Sequence, residues 1–373
     1  MTKSSKLRVV ELYAGTARGA DAFRRWKRCE VSLLVDSDRF AAQTYLANHP
    51  RAPYLSRNLS RLPASRVRDL AGGRVDILLG CPPCQGFSDV GARDPDDPRN
   101  DHLRRFGHFV DVLRPRALVM ENVPRAVSAA QFAALTRLLD RAEYSWTAGL
   151  INAAVRGSAQ CRQRLVLIAF RKDIRVEPTI PLATHGGARR YFNYGSGKLE
   201  LIASNPAALL GEAPATSQLR ALLPFEETEI GSMAIPTVAE ALAGLPAVGT
   251  PAADALGHVA WAHSRAQVLR MGRVPEGGQW RGEVDYYSHA YGRLHRKGLA
   301  RTITTQFNNP GSGRFWHPTE DRALTPREAA RLQGFPDSFS FAPSYWRAAR
   351  LIGNALDSSI ASIGYKIVRA ALE

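Results

Sequence analysis

The stretch Val75-Asp-Ile-Leu-Leu79-Gly80-Cys81-Pro82-Pro83-Cys84-Gln85-Gly86-Phe87-Ser88 runs from an apolar segment of strand length straight into a turn built of proline and glycine. A short apolar run closed by turn residues reads as a strand buried on both faces. The loop behind it then lies outside the strand's carboxyl end, where α/β sheets put their active sites. Similar runs recur at 7–13, 31–35, 117–120 and 165–170, with room for helices between them, the first near 20–26. That alternation predicts an α/β fold with a mostly parallel sheet covered on both faces.

Outward from this core the character changes. Beyond Arg171 glycine, proline and alanine become frequent and periodicity fades, as at 205–215 and 241–255. An aromatic and basic region follows at 280–316, with Tyr286, Tyr287, Tyr291, Arg293, His295, Arg296 and Lys297, and 301–305 reads as one of its strands. Thr325-Pro326 with Glu328 spells a helix start over 325–333, and 345–372 has room for two more helices. The expected division is a first domain at 1–173, a smaller one at 174–316, and a segment at 317–373 that returns to complete the first.

With 373 residues, 45% apolar and 23% charged, the chain can bury a core of ordinary size, which excludes a disulfide-stapled miniprotein or a disordered tail. Lys and Arg number 50 against 34 Asp and Glu, a net charge of +16 that points to a negatively charged partner, nucleic acid ahead of an acidic membrane surface. An ordinary basic enzyme carries the same count. No apolar run is long enough to span a membrane, the start at 1–6 has no signal-peptide character, and only four cysteines occur, so a reducing, cytoplasmic setting is expected. Cys81 and Cys84 have zinc-ligand spacing, but Cys29 and Cys161 stand alone, so no metal site is expected. A cysteine in this turn is then a nucleophile or a buried structural thiol.

Six strings in order carry a resemblance. They are Tyr13-Ala-Gly15; Pro82-Pro83-Cys84-Gln85-Gly-Phe87-Ser88; Glu121-Asn122-Val123; Gln160-Cys-Arg162-Gln-Arg164; Arg322-Ala-Leu-Thr325-Pro-Arg327-Glu328-Ala-Ala-Arg331-Leu-Gln333-Gly-Phe335-Pro336; and Gly353-Asn354-Ala355. Together they resemble the DNA cytosine-5 methyltransferases of bacterial restriction-modification type, over most of the chain apart from its middle. The resemblance implies an S-adenosylmethionine-dependent methyltransferase fold with a target-recognition domain at 174–316. It also implies methyl transfer to C5 of a flipped-out cytosine in duplex DNA, by a protein that acts as a monomer on DNA beside a cognate restriction endonuclease.

Cytosine C5 is too poor a nucleophile to take a methyl group directly, so the family first adds a cysteine thiolate to C6; Cys84 matches that residue. Glu121 matches the carboxyl group that meets N3, Arg164 the side chain that holds O2 and the target phosphate, and Arg162 a support of the pocket. A capping or surface carboxylate at Glu121, and a solvated pair at Arg162 and Arg164, are the plainer alternatives. For the donor, S-adenosylmethionine, the resemblance implies Tyr13, Gly15, Thr16, Asn58, Pro82 and Asn354, with Asp36 accepting from the ribose hydroxyls. DNA contacts are expected from Gln85, Ser88, Arg293, Arg296, Lys297 and Arg301, and the 88–101 segment is expected to close over the flipped base.

Three departures stand out. Ala17 and Arg18 replace the usual glycine pair of the first loop, Asn58 stands where an adenine-binding aspartate is expected, and the 353–357 string lacks the usual valine and prolines. Arg18 could serve as counter-charge to a modified donor. Two further alternatives are a tRNA cytosine methyltransferase of the same fold, against which the long middle region counts, and a non-catalytic DNA-binding relative, which would more naturally have lost Cys84 or Glu121.

Overall fold

The computed structural model describes residues 6–83, 101–180, 184–185, 190–193, 198–201, 233–280, 290–341 and 344–373. Its sheet uses β1 (Leu7–Leu12), β2 (Cys29–Asp36), β3 (Tyr54–Ser56), β4 (Ile77–Gly80), β5 (Ala117–Asn122), β6 (Tyr144–Asn152) and, after the two-residue β7 (Gln160–Cys161), β8 (Gln163–Arg171). Among the described residues the order is β3-β2-β1-β4-β5-β8-β6. The first five strands pair in parallel. β8, expected at 165–170 as one more parallel strand, runs antiparallel to both β5 and β6. The cause is β6: it forms a hairpin-like pair with β8, and its half-buried, glycine-containing sequence gave no strand signal.

Both faces of the sheet are covered. Successive side chains of a strand point to opposite faces, so Val10, Leu12, Leu165 and Leu167 pack on one side, against Phe106 and Phe109 of α4 (Asp101–Leu113) and Phe132 of α5 (Ala130–Arg141). Val9, Ile77, Val166 and Ile168 pack on the other, against Phe23 of α1 (Arg18–Arg24) and Ile360 and Ile363 of α11 (Ser358–Leu372). A Cβ at Gly364 would lie 2.8 Å from the Val119 side chain, so this glycine lets α11 lie directly on β5. Each fully buried large apolar side chain contributes on the order of 2 kcal/mol.

A second core joins segments far apart in sequence. Leu294, Ile303, Phe307 and Phe315 pack with Leu324, Ala329 and Leu332 and with Ala349 and Ile352. The helices here are α9 (Pro326–Leu332), begun by a Thr325–Glu328 capping box, and α10 (Tyr345–Asn354). The segment expected to complete the first domain over 317–373 is therefore divided: residues 324–355 belong to the second core and α11 to the first. The strand expected at 301–305 shrinks to the two residues Ala300–Arg301, parallel to β7, because Ile303 turns its backbone N–H onto the Gln160 side chain instead.

The two cores meet at a buried polar hub. Gln160, fully buried, donates from Nε2 to Gln333 Oε1 at 2.8 Å and to the Leu332 carbonyl at 3.1 Å, and accepts from Ile303 N–H at 2.7 Å. Arg162, also buried, donates to the carbonyls of Ile303, Gly353 and Ala355 at 3.1, 3.2 and 3.1 Å. Asp357 accepts from Ser158 at 2.9 Å and caps α11 through Ser359 N–H. Buried polar groups left without partners cost roughly 1–3 kcal/mol each, so this network ties four chain segments at one point.

One buried carboxyl lies beneath the first loop. α1 starts at Ala17, which has left-handed backbone and no side-chain cap. Glu11, on the α1-facing side of β1 and only 2% exposed, supplies the missing acceptor through a 2.7 Å bond from Ala20 N–H. Burial, partly offset by that bond, pushes its carboxyl up to about 8. A Cβ at residue 19 would lie 2.7 Å from Glu11 Oε1, which explains the glycine there.

Two outcomes follow from this packing. Between the unfolded carboxyl's ordinary value and about 8 the folded chain holds a proton that the unfolded chain releases, so stability falls as pH rises through that window, by at most ~1.4 kcal/mol per pH unit. Glu11→Gln keeps an acceptor without the charge. Its Tm is expected to exceed the parent's near pH 9 (roughly the plateau of that linkage) and to converge on it near pH 5; a pH-independent difference in thermal melts would count against the buried proton. Arg162→Ala strands three buried carbonyls and is expected to lose about 3 kcal/mol or more in urea unfolding. An unchanged urea midpoint with lost catalysis would make Arg162 a catalytic residue after all.

Candidate active site

The strand order reverses between β1 and β4, the position where open α/β sheets bind ligands. The carboxyl ends of β1, β2, β4 and β5 all open on that edge. The loop after β1 contains three left-handed residues, Tyr13, Gly15 and Ala17, at φ 56, 50 and 52°. Only the glycine adopts this conformation without strain, so the loop needs tethers. Gly15 N–H donates to Asp36 Oδ2 at 2.8 Å, Tyr54 donates to the Gly15 carbonyl at 2.7 Å, and the Tyr13 hydroxyl donates to the His102 carbonyl at 3.2 Å.

Asp36 closes β2. Its other oxygen takes Asp38 N–H at 2.8 Å, and burial raises its carboxyl even though these N–H donors pull it down. With backbone N–H groups from Gly15, Asp38 and Ser37 on it, the carboxylate still keeps acceptor capacity for a ligand. Thr16 Oγ1 is buried and has no hydrogen-bond partner among the described residues. A free acceptor edge beside an orphaned hydroxyl fits a small ligand bearing hydroxyl and amino groups.

The remaining donor-site candidates are less uniform. Asn58 is exposed, and its Oδ1 is already used by Ser60 N–H at 2.9 Å, which leaves its amide NH2 as the outward group. Pro82 is buried and accepts from Asn122 Nδ2 at 3.2 Å. Asn354 is the exposed last residue of α10. Arg18, considered as counter-charge for a modified donor, is committed elsewhere. It donates to Ser358 Oγ and to the Gly334 carbonyl, pairs with Asp21 at 3.3 Å, and stacks 4.5 Å over the Phe335 ring. That reading is corrected: Arg18 joins the first loop to the later segments.

At the chemical end of the site Glu121 leaves β5 with its Oε1 2.7 Å from Arg164 Nε, and both side chains are largely shielded. The antiparallel direction of β8 makes this contact, since its amino end lies at the carboxyl end of β5, with Asn122 opposite Leu165. Arg162, two residues earlier, does not share the contact. It is spent on the carbonyls of the polar hub, and burial lowers its guanidinium to about 9. Arg162 thus holds the segment that presents Arg164 and does not face a reactant.

Cys84, Gln85 and Ser88, and the 88–100 part of the expected closing segment, lie outside the described residues, as do Tyr286 and Tyr287. In the sequence Cys84 follows Pro83, four residues past the end of β4. Among the expected DNA contacts, Arg296, Lys297 and Arg301 are exposed, with Arg296 Nε 3.1 Å from Glu276. Arg293 is corrected. Only 4% exposed, it sends its N–H groups to the carbonyls of Val274, Met271, His317 and Glu320 and to Asp321, which staples two loops together and leaves nothing for a base edge.

Two residues of the site had no assigned role in the sequence. Asn122 ties the ends of β4 and β5 together through Pro82, and Cys81 lies beside Glu121, where burial and then that carboxylate's charge hold its thiol well above the ordinary value. Asn122 stood inside a quoted string without a chemical signal of its own, and Cys81 was weighed as a metal ligand or a buried thiol, not as a neighbour of Glu121.

Known proteins agree with this architecture. The model of C-5 cytosine-specific DNA methylases matches residues 7–369. The Type II methylase M.HgiDII of Herpetosiphon aurantiacus is 27% identical over 354 residues, 91% of this chain and 88% of that protein. The Type II methyltransferase M.AgeI of Thalassovita gelatinovora is 24% identical, with 98% and 100% covered. The fold is shared with a putative DNA modification methyltransferase encoded within an E. coli prophage, at TM-score 0.69 and 22% identity over 98% of this chain and 99% of the other. It is shared too with a Spodoptera frugiperda DNMT2 variant, at TM-score 0.62 and 17% identity over 99% and 100%. With the family model spanning nearly the whole chain, the protein belongs to the C-5 cytosine-specific DNA methylase family and is a DNA (cytosine-5)-methyltransferase.

Proposed function

We propose that this methyltransferase acts on a flipped-out cytosine within a particular duplex sequence, through a covalent bond between Cys84 and C6, with S-adenosylmethionine as donor. The observation that carries the reading is the Glu121–Arg164 pair, 2.7 Å apart at the end of β5, next to the strand that leads to Cys84. When the Cys84 thiolate adds to C6, electron density moves toward N3 and O2, and C5 becomes an enamine-like carbon. A carboxyl group at N3 and a guanidinium at O2 are the partners that this charge requires. Glu121 takes the first role. Arg164 takes the second, turning from the carboxylate toward the base.

S-adenosylmethionine supplies the electrophilic methyl group. Asp36 is suited to its ribose hydroxyls, Thr16 Oγ1 and the Gly15 backbone to its methionine end, and Asn58, Pro82 and Asn354 to the remaining walls. After transfer, loss of the C5 proton lets Cys84 be eliminated. The exposed Arg296, Lys297 and Arg301, with Gln85 and Ser88, are read as DNA contacts, and the net charge of +16 supports a salt-sensitive grip on the phosphates. Among the described residues no helix is long and apolar enough to cross a membrane. With so few cysteines, the proposal places the enzyme in the cytoplasm, as a monomer on DNA beside a cognate restriction endonuclease.

Fluorine at C5 cannot leave as a proton does, so a turning-over enzyme becomes trapped on 5-fluorocytosine. Incubation with randomised duplexes carrying that base is expected to give a donor-dependent adduct on denaturing gels, absent in Cys84→Ala. A normal adduct from Cys84→Ala would sink the covalent mechanism, and an adduct formed only on RNA would move the substrate. Sequencing of the trapped duplexes reads out the target site.

A further inference from the structure

Parallel pairing of β4 with β5 sets Gly80 opposite Met120, so the next residue of each strand, Cys81 and Glu121, leave the sheet side by side. The Asn122 bond to the Pro82 carbonyl, 3.2 Å, locks the two ends in that relation. That register puts the Cys81 thiol beside the Glu121 carboxylate, whose charge acts on it. Burial, then the negative charges of Glu121 and Glu11, hold the thiol well above its ordinary value, so Cys81 is a proton-bearing donor and a poor nucleophile.

Two donor-bearing side chains therefore flank Glu121: Arg164 in an ion pair, and Cys81 at the end of the neighbouring strand. A bound pyrimidine draws on the arginine, whose long side chain can swing. The thiol cannot swing, being short and set on the strand end. It stays to hold one carboxylate oxygen while the other meets the base.

We propose that Cys81 is a positioning residue for methyl transfer, its thiol fixing the Glu121 carboxyl group in the orientation that meets N3 of the target cytosine. The proposal rests on the role given to Glu121 above, and its test keeps the two separable. Single-turnover transfer from labelled S-adenosylmethionine to duplex DNA of randomised sequence is measured for the parent, Cys81→Ala, Cys81→Ser and Glu121→Gln. Loss of one hydrogen bond to a charged group predicts a rate roughly tenfold lower for Cys81→Ala, with KM for DNA and donor within about twofold of the parent. Cys81→Ser, which restores a donor at that position, is expected to regain most of the rate.

Parental rates in both cysteine variants beside an inactive Glu121→Gln would overturn the positioning role and leave the Glu121 reading standing. A fully active Glu121→Gln would remove both. Equal loss in the alanine and serine variants, accompanied by a lowered Tm, would make Cys81 a packing residue and also overturn the proposal.

Discussion

The need to satisfy buried hydrogen-bonding groups at the junction of the two cores organises this molecule. Gln160, Arg162, Gln333 and Asp357 are each 3% exposed or less, and between them they hold the backbone at residues 303, 332, 353 and 355. In a low-dielectric interior each bond of such a network is stronger than the same bond in water. Its members come from four separate stretches, so the network forms only in the folded topology. Everything downstream depends on it: the place of α10 and its terminal Asn354, the start of α11, and the amino end of β8 that presents Arg164.

The same logic works on a smaller scale at the first loop. A turn with three left-handed residues, two of them not glycine, is costly by roughly 1 kcal/mol or more for each such residue. Side chains from beneath and beside it hold it: Glu11 on the α1 amides, Asp36 on Gly15, Tyr54 on the Gly15 carbonyl. Arg18 extends the tethering to Gly334 and Phe335. The replacement of two small residues by Ala17 and Arg18 therefore reads as a structural exchange, in which conformational freedom is given up and a long-range anchor gained.

Charge in this enzyme divides into two populations. Buried arginines such as Arg162, Arg293 and Arg322 are consumed by carbonyls and carboxylates of the protein, the last gripping Glu328 through two bonds of 2.7 and 2.8 Å. Exposed ones such as Arg301 remain for long-range attraction. Counting lysines and arginines from the composition pools the two, which is why the basic character pointed rightly to DNA while Arg293 proved to be a staple.

Much of the fold was legible because strand burial and turn chemistry are local. The apolar runs at β1, β2, β4 and β5, the Thr325–Glu328 cap and the two closing helices all appear where period and capping residues put them. β6 and the direction of β8 were not legible, since a half-buried strand has a weak pattern and strand polarity depends on the partner. The sequence by itself settled the chemistry-bearing residue types and their order, because a short motif at a strand end is a local object. Only the tertiary structure separated Arg162 from Arg164, buried Arg293, divided 317–373 between two cores and set Cys81 against Glu121, because each of these depends on which distant backbone a side chain meets once the sheet has assembled.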